Sequence, residues 1–233
     1  MPDRIIVALD TPDAQSALDL ASSLRGRARW LKVGMTLFCG EGPAVVHALS
    51  DMGFDVFLDL KLHDIPHQVE GAARALGGLG VGMVTVHAAG GPAMVAAAVK
   101  GAAAGAARAG VPRPAVLAVT VLTSLDAVAL ASTGVRDDPS EQVRRLTALA
   151  IAAGADGVVC SPQEVAEARN LVGPRALVVT PGIRPVWAEV GDQARVASPA
   201  AAFSSGASHI VVGRPVTGAK DPAAAFDRIA AEE

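Results

Sequence analysis

The sequence predicts a (β/α)8 barrel, the TIM-barrel fold, with residues 1–233 forming a single catalytic domain. Eight short apolar runs rich in β-branched residues recur along the chain, and their starts are 20 to 42 residues apart. Longer segments rich in alanine and leucine separate them, which leaves room for a crossover helix after each strand. Near-continuous apolar strands are typical of a parallel sheet covered on both faces.

The eight predicted strands, in chain order, are "RIIVALD" (4–10), "WLKVG" (30–34), "DVFLDLK" (55–61), "MVTVHA" (83–88), "AVLAVTVL" (115–122), "GVVC" (157–160), "LVVTPGI" (177–183) and "HIVVGRP" (209–215). Helix-start signals follow several of them. Thr11 precedes a first-turn proline, Ser161 and Glu164 have the spacing of a capping box, and Asp221 precedes Pro222 before the last helix. A doubly wound open sheet is the alternative, but it normally has fewer strands, and the sequence lacks its Gly-rich dinucleotide turn.

Composition excludes several classes of function. The 20 basic and 23 acidic residues give a net charge of −3 without a basic block, so neither nucleic acid nor an anionic membrane is an expected partner. Two cysteines cannot form a disulfide framework, which fits a reducing cytoplasm. We expect neither a signal peptide nor a membrane span, because the N-terminus lacks a long apolar segment and no stretch approaches ~18 apolar residues.

Polar residues gather where the predicted strands end, which is the catalytic edge of this fold. The strand ends supply Asp10, Lys32, Asp59, Lys61, His87, Thr120, Thr123, Cys160, Thr180, Gly213 and Arg214. The chain has only four lysines, and two of them, Lys32 and Lys61, lie at these ends. Lysines on exposed helix faces would be ordinary and would not indicate a functional site.

The segment "DLKLHDIP" (59–66) is the most informative of these ends. Lys32, Asp59, Lys61 and Asp64 would converge on one rim with alternating charge. Such a network is a weak source of stability because each charge must be desolvated, but it holds a lysine protonated and oriented. The alternatives are ordinary ones: Asp10 or Asp64 could cap a helix, and Lys61 could belong to a structural ion pair.

The loops after the seventh and eighth strands predict a phosphate site, since they bind phosphate in many barrels of this class. Gly213 would let a phosphate approach backbone N–H groups, Arg184 and Arg214 offer bidentate hydrogen bonds, and Gln193 can donate from its amide. The long stretch 181–196 could close as a lid, although a plain surface loop is the alternative for Arg184. No His, Cys and carboxylate residues have metal-ligand spacing, so no metal is expected.

In this order, seven segments make the chain resemble the bacterial type of orotidine 5′-phosphate decarboxylase over its whole length. They are "VALD" with Asp10, "LKVG" with Lys32, "DLKLHDIP" with Asp59, Lys61 and Asp64, "VTVLTS" with Thr123, "TPGIR" with Arg184, "GDQARV" with Gln193 and "VGRP" with Gly213 and Arg214. The D-x-K-x-x-D signature alone indicates only a superfamily that includes phosphosugar decarboxylases and aldolases. The family usually reads Asn-Thr after "DIP", whereas this chain has His67 and Gln68.

The resemblance implies decarboxylation of orotidine 5′-monophosphate to UMP and CO2 without a cofactor. It implies that Asp59, Lys61 and Asp64 are catalytic, with Lys61 donating the proton to C6. It implies a homodimer in which Asp64 reaches the partner's site. The substrate-binding residues implied are Asp10, Lys32, Ile65, Gln68, Thr123, Arg184, Gln193, Gly213 and Arg214.

Three alternatives remain open from the residues. A Mg²⁺-assisted enzyme similar to 3-keto-L-gulonate 6-phosphate decarboxylase would want a carboxylate where Lys32 stands. A non-catalytic barrel that binds a phosphate ligand would not need the Lys61 cluster. A Schiff-base aldolase needs a lysine that loses its proton easily, and two flanking aspartates favour the protonated form.

Overall fold

The computed structural model describes residues 2–188 and 196–232, and eight parallel strands in it close into a barrel in chain order. The strands are β1 (Ile5–Leu9), β2 (Trp30–Gly34), β3 (Asp55–Leu62), β4 (Met83–His87), β5 (Ala115–Val119), β6 (Gly157–Val159), β7 (Leu177–Thr180) and β8 (His209–Val212). The predicted fold class and all eight predicted strands are confirmed. Three of the predicted runs, those of β5, β7 and β8, extend three residues beyond the strand, into the loops that carry polar residues.

At least one α-helix follows each strand, as the spacing of the apolar runs predicts. The helices are α1 (Ala14–Ser23), α2 (Met35–Glu41), α3 (Pro43–Asp51), α4 (Pro66–Gly77), α5 (Pro92–Ala109), α6 (Ala127–Ser132), α7 (Pro139–Ala152), α8 (Val165–Val172), α9 (Pro199–Ser204), α10 (Arg214–Thr217) and α11 (Pro222–Ala230). Within the described part of the chain, none of these helices has the length and apolar character needed to cross a membrane.

Two of the predicted helix starts are wrong and one is confirmed. Asp221 caps α11 by accepting a hydrogen bond from the backbone N–H of Ala224. The cap of α1 is Asp13 instead of Thr11, because its carboxylate accepts from the N–H of Ser16. Ser161 does not form the predicted capping box, since its hydroxyl bonds the carboxylate of Glu164 and a 3-10 turn precedes α8.

The core has two layers, and their alternation sets the direction of the polar side chains at the strand ends. Seven buried residues fill the barrel interior: Ile6, Ala8, Phe57, Met83, Leu117, Val179 and Val211. The intervening residues of the strands pack outward against the helices. Because side chains alternate along a strand, Asp10 and Asp59 continue the inward rows of β1 and β3, and Lys32 lies beside Ala8 and Phe57 in register.

Helix α4, which follows the charged end of β3, lies unusually close to α5. A Cβ atom at Gly101 or Gly105 would collide with the backbone of α4, at Glu70 and Arg74 respectively. The absence of side chains at these positions therefore permits the close contact between the two helices. These contacts involve the middle of α4, whereas every residue of the segment 63–68, which includes the start of α4, is solvent-exposed.

Candidate active site

The carboxylate of Asp59 is the centre of the charged cluster at the strand ends. Its Oδ2 accepts a hydrogen bond from Lys61 Nζ at 2.8 Å and lies 3.9 Å from Lys32 Nζ. Lys32 in turn donates to Oδ1 of Asp10 at 3.0 Å. The side chains of Lys32 and Asp59 are only 11% and 13% exposed, so these charges interact where water screens them little. Three of the four predicted charges therefore converge, and Asp10 joins them.

Lys61 has a backbone conformation that no other non-glycine residue in the described ranges has, with φ of 51°. Such a left-handed conformation costs on the order of 1–3 kcal/mol and persists only when the surroundings hold it. It occurs within a bulge. Leu58 pairs with Val84 and Leu62 with Val86, so β3 has two more residues than β4 between these pairs. The bulge sets the position from which the Lys61 side chain reaches Asp59.

One buried hydroxyl, that of Thr85 on β4, contacts both halves of this arrangement. Thr85 Oγ1 donates to Oδ1 of Asp59 at 2.9 Å and accepts the backbone N–H of Lys61 at 2.8 Å. Thr85 is 0% exposed. Thr85 was not among the predicted site residues, because it lies inside a strand and not at its end. The alternation of "MVTVH" was the available signal, since Thr85 shares the inward face with Met83 and His87.

An apolar cavity opens beside Lys61 and Asp59. Its walls come from β5, β6 and the loops after them, with Val119, Val121, Thr123, Val159 and Cys160 among the lining residues. Thr123 thus lies where it was predicted, facing the charged cluster across the cavity. The mostly aliphatic lining suits a flat heterocycle, and the charged cluster supplies polar groups at only one side.

A second recess continues from this cavity toward the ends of β7 and β8. Lys32, Pro181 and Val211 line both spaces, which makes them neighbours. Asp10, Arg184, Gly213 and Arg214 complete the wall of the recess, so both predicted arginines lie at its far end. A Cβ at Gly213 would lie 3.8 Å from Asp10 Oδ2, which means that a side chain there would narrow the recess.

Two histidines lie next to Lys61 outside the main cavity. The rings of His63 and His87 are 5.3 Å apart between centroids. Burial lowers the pKa of His87, and the nearby His63 and Lys61 lower it further, so a neutral imidazole is favoured. Within residues 2–188 and 196–232, no three His, Cys, Asp or Glu side chains are grouped so that they could hold a metal ion.

Comparison with known proteins identifies the family. The model of the "Orotidine 5'-phosphate decarboxylase / HUMPS family" matches residues 3–229. The chain belongs to this family. Members of this orotidine 5′-phosphate decarboxylase family are similar to the chain over nearly its full length, so the match covers the barrel and the whole charged cluster.

Named relatives and solved structures of the family are similar in both sequence and fold. The chain is 54% identical to orotidine 5'-phosphate decarboxylase of Anaeromyxobacter sp. (strain K), covering 98% of this chain and 97% of the relative. The Halorhodospira halophila enzyme of that name is 52% identical, with 99% and 96% covered. The crystal structure of orotidine 5'-phosphate decarboxylase from Lactobacillus acidophilus superposes with a TM-score of 0.87 at 42% identity, covering 99% of this chain and 98% of that one.

Three residues that the family resemblance implied lie away from the cavity within this chain. Asp64, Ile65 and Gln68 are all exposed, and Ile65 is exposed to 63%. Gln68 and Asp64 line a shallow recess on the outer side of Lys61. Asp64 does not cap α4, because Ile65 occupies that position. Gln193, predicted to bind phosphate, lies with the rest of 189–195 of the predicted lid outside the described residues.

Proposed function

We propose that this protein decarboxylates orotidine 5′-monophosphate to UMP and CO2, a step of pyrimidine biosynthesis. The order of chemistry along the joined cavity carries the proposal. An aliphatic wall with Thr123 comes first, the cluster of Asp59, Lys61 and Lys32 second, and the recess with Gly213 and Arg214 last. A nucleotide has the same order of base, reacting carbon with ribose, and phosphate.

The reaction needs a cation next to the reacting carbon. Loss of the 6-carboxylate leaves negative charge on an sp² ring carbon, and a pyrimidine has no ordinary electron sink for it. In the proposed mechanism the ammonium of Lys61 stabilises this charge and then protonates C6. Its hydrogen bond to Asp59 at 2.8 Å supports this role, because a charge-assisted hydrogen bond restrains the direction of the ammonium.

Asp10 and Lys32 are proposed to bind the ribose hydroxyls. Their side chains form an ion pair between the cavity and the phosphate recess, where a ribose would lie. The Asp10 side chain is 66% exposed and can accept a hydroxyl hydrogen bond, while Lys32 is held between Asp10 and Asp59. In this arrangement the ribose contacts link the phosphate end of the substrate to the reacting end.

The phosphate end contributes to the rate as well as to binding. Strong enzymes lower barriers by up to ~23 kcal/mol, which one lysine does not supply alone. Energy from remote binding can position the ring and hold the closed site. We assign phosphate binding to Arg184, Arg214 and the backbone at Gly213, which line the recess, and to Gln193.

A homodimer with composite sites completes the proposal. Asp64, Ile65 and Gln68 are exposed and project from the start of α4, away from the cavity of their own chain. In a two-fold dimer such a segment can enter the partner's cavity, and the symmetry then builds two identical sites. There Asp64 would lie near the substrate carboxylate and disfavour its ground state. Ile65 and Gln68 would contact the substrate.

The two free cysteines fit a cytoplasmic enzyme.

A Mg²⁺-dependent phosphosugar decarboxylase is less compatible with the cluster. Lys32 Nζ lies 3.0 Å from Asp10 and 3.9 Å from Asp59 and would face an ion bound by these carboxylates.

A spectrophotometric assay with EDTA present tests the proposed function. It follows the loss of orotidine 5′-monophosphate in the presence of the purified protein, and chromatography identifies the UMP formed. We expect turnover unaffected by the chelator. Activity that EDTA abolishes and Mg²⁺ restores would contradict the proposal.

A further inference from the structure

We propose that Thr85 is a positioning residue for this reaction, acting through the one hydroxyl that holds both Lys61 and Asp59. This inference rests on the proposed function for its catalytic consequence. Its structural part stands independently, on two hydrogen bonds, complete burial and the strained backbone of Lys61.

The hydroxyl of Thr85 accepts one hydrogen bond and donates another. As an acceptor it takes the N–H of Lys61, a donor that the bulge removes from the regular β3–β4 ladder. As a donor it gives its proton to Oδ1 of Asp59, leaving Oδ2 for Lys61 Nζ. The two carboxylate oxygens are therefore divided between Thr85 and Lys61, which fixes the plane of the carboxylate.

The hydrogen bond from the Lys61 N–H to Thr85 matters because the backbone of Lys61 is strained. A non-glycine residue with φ of 51° relaxes toward negative φ unless local contacts prevent it. The neighbouring pairs Leu58–Val84 and Leu62–Val86 leave a gap in the ladder opposite Thr85. In that gap the Thr85 hydroxyl replaces a ladder partner. Its removal would leave the Lys61 N–H without this acceptor in a mostly buried place, and a buried unpaired N–H is costly.

The consequence for the reaction is a change in rate more than in binding. Thr85 is 0% exposed and is not among the residues that line the cavity, so a ligand in the cavity would not be expected to contact it. The distance and direction from Lys61 Nζ to the reacting carbon depend on the bulge and on Asp59. We therefore expect Thr85→Val, which keeps the shape and removes the hydroxyl, to lower kcat at least about tenfold, equivalent to ~1.4 kcal/mol of barrier. KM should change less than about threefold.

Three variants separate positioning from a general loss of stability. Thr85→Ser keeps the hydroxyl and should recover most of the wild-type kcat. Thr147→Val is the matched control, because Thr147 is also a completely buried threonine, lies on α7, and has no hydrogen-bond partner for its hydroxyl within the described ranges. Kinetics of all three with orotidine 5′-monophosphate, at equal folded fractions by circular dichroism, test the catalytic part. A wild-type kcat in Thr85→Val, or an equal loss in Thr147→Val, would overturn the proposal.

A crystal structure of Thr85→Val tests the structural part without any activity. We expect Lys61 to leave the positive-φ conformation, or its Nζ to move beyond hydrogen-bond distance of Asp59. Retention of both features would overturn the positioning role even if kcat fell. If the wild-type protein does not turn over orotidine 5′-monophosphate while the variant shows the backbone change, the proposed function fails and the positioning of Lys61 by Thr85 stands.

Discussion

The carboxylate of Asp64 accepts a hydrogen bond from the backbone N–H of the next residue, Ile65, at 2.6 Å. Within residues 2–188 and 196–232 it makes no other side-chain hydrogen bond and no ion pair. The "DLKLHDIP" segment therefore divides: Asp59 and Lys61 face the cavity of their own chain, and Asp64 faces solvent. This division is what a composite site requires of a dimer.

Mixing two inactive variants tests the composite site. Lys61→Ala chains and Asp64→Ala chains should each be inactive alone. In a hybrid dimer, one site receives an intact Lys61 from one chain and an intact Asp64 from the other, while the second site lacks both. Random pairing gives about half hybrids with one complete site of two, so roughly a quarter of wild-type activity should return. Each variant refolded by itself is the control. Hybrids that form, as seen by native mass spectrometry, and show no activity would mean that Asp64 acts in its own chain.

Arg214→Ala tests the phosphate end of the cavity. Arg214 begins α10 and lines the recess with Gly213 and Asp10. Loss of a charge-assisted contact to phosphate should lower kcat/KM by about 100-fold, or ~2.7 kcal/mol. Arg25→Ala, an exposed arginine before β2, is the control and should have little effect. Orotidine, which has no phosphate, should react equally with both variants. Equal damage with orotidine and its monophosphate would assign Arg214 another role.

Gly34→Ala tests the ion pair proposed to bind ribose. A Cβ at Gly34 would lie 3.1 Å from Lys32 Nζ and 3.4 Å from Asp10 Oδ1. Lys32 has little freedom to move because Asp59 lies on its other side at 3.9 Å. We expect kcat/KM to fall about tenfold, or ~1.4 kcal/mol, with little loss of stability. Gly40→Ala on α2 is the control, since a Cβ there meets no atom within 4 Å. Unchanged kinetics in Gly34→Ala would show that the pair adapts without cost.

We expect the burial of His209, at the start of β8, to make the folded protein less stable in acid. Burial, and to a smaller extent the nearby Arg4 and Arg29, lowers its pKa from 6.5 to about 4. Because the folded state disfavours the protonated ring, its stability is complete above about pH 6.5 and declines as the pH falls toward 4. Between pH 7 and 5 we expect a loss of about 1–2 kcal/mol by urea denaturation, absent in His209→Gln. The exposed His47→Gln should retain the wild-type loss. An identical pH dependence in His209→Gln would exclude this histidine as the cause.

Strand ends could be predicted from the sequence because burial on both faces demands apolar runs, and such a run stops where the polar edge of the barrel begins. This reasoning located Asp10, Lys32, Asp59 and Lys61, which the structure brings together. The alternation of inward residues then explains why Asp10 and Asp59 both continue inward rows and lie within reach of Lys32.

Other features depend on contacts between segments, which local patterns do not contain. The bulge at Lys61 and its bond to Thr85 arise from the register between β3 and β4. The cap of α1 depends on where the preceding turn ends. Asp13 immediately precedes the helix, whereas Thr11 lies two residues before Asp13. The role of Asp64 depends on a second chain, so it stays a prediction, as do the roles of Ile65 and Gln68.

The most direct test of the central claim is the kinetic effect of Lys61→Ala compared with Lys220→Ala, an exposed lysine before α11. Both variants would be assayed with saturating orotidine 5′-monophosphate, and UMP binding would be measured by calorimetry. If Lys61 stabilises the developing charge and protonates C6, its removal should lower kcat at least about 1000-fold, or ~4 kcal/mol, while UMP still binds and Lys220→Ala remains fully active. A kcat for Lys61→Ala within tenfold of the wild-type value would contradict the account.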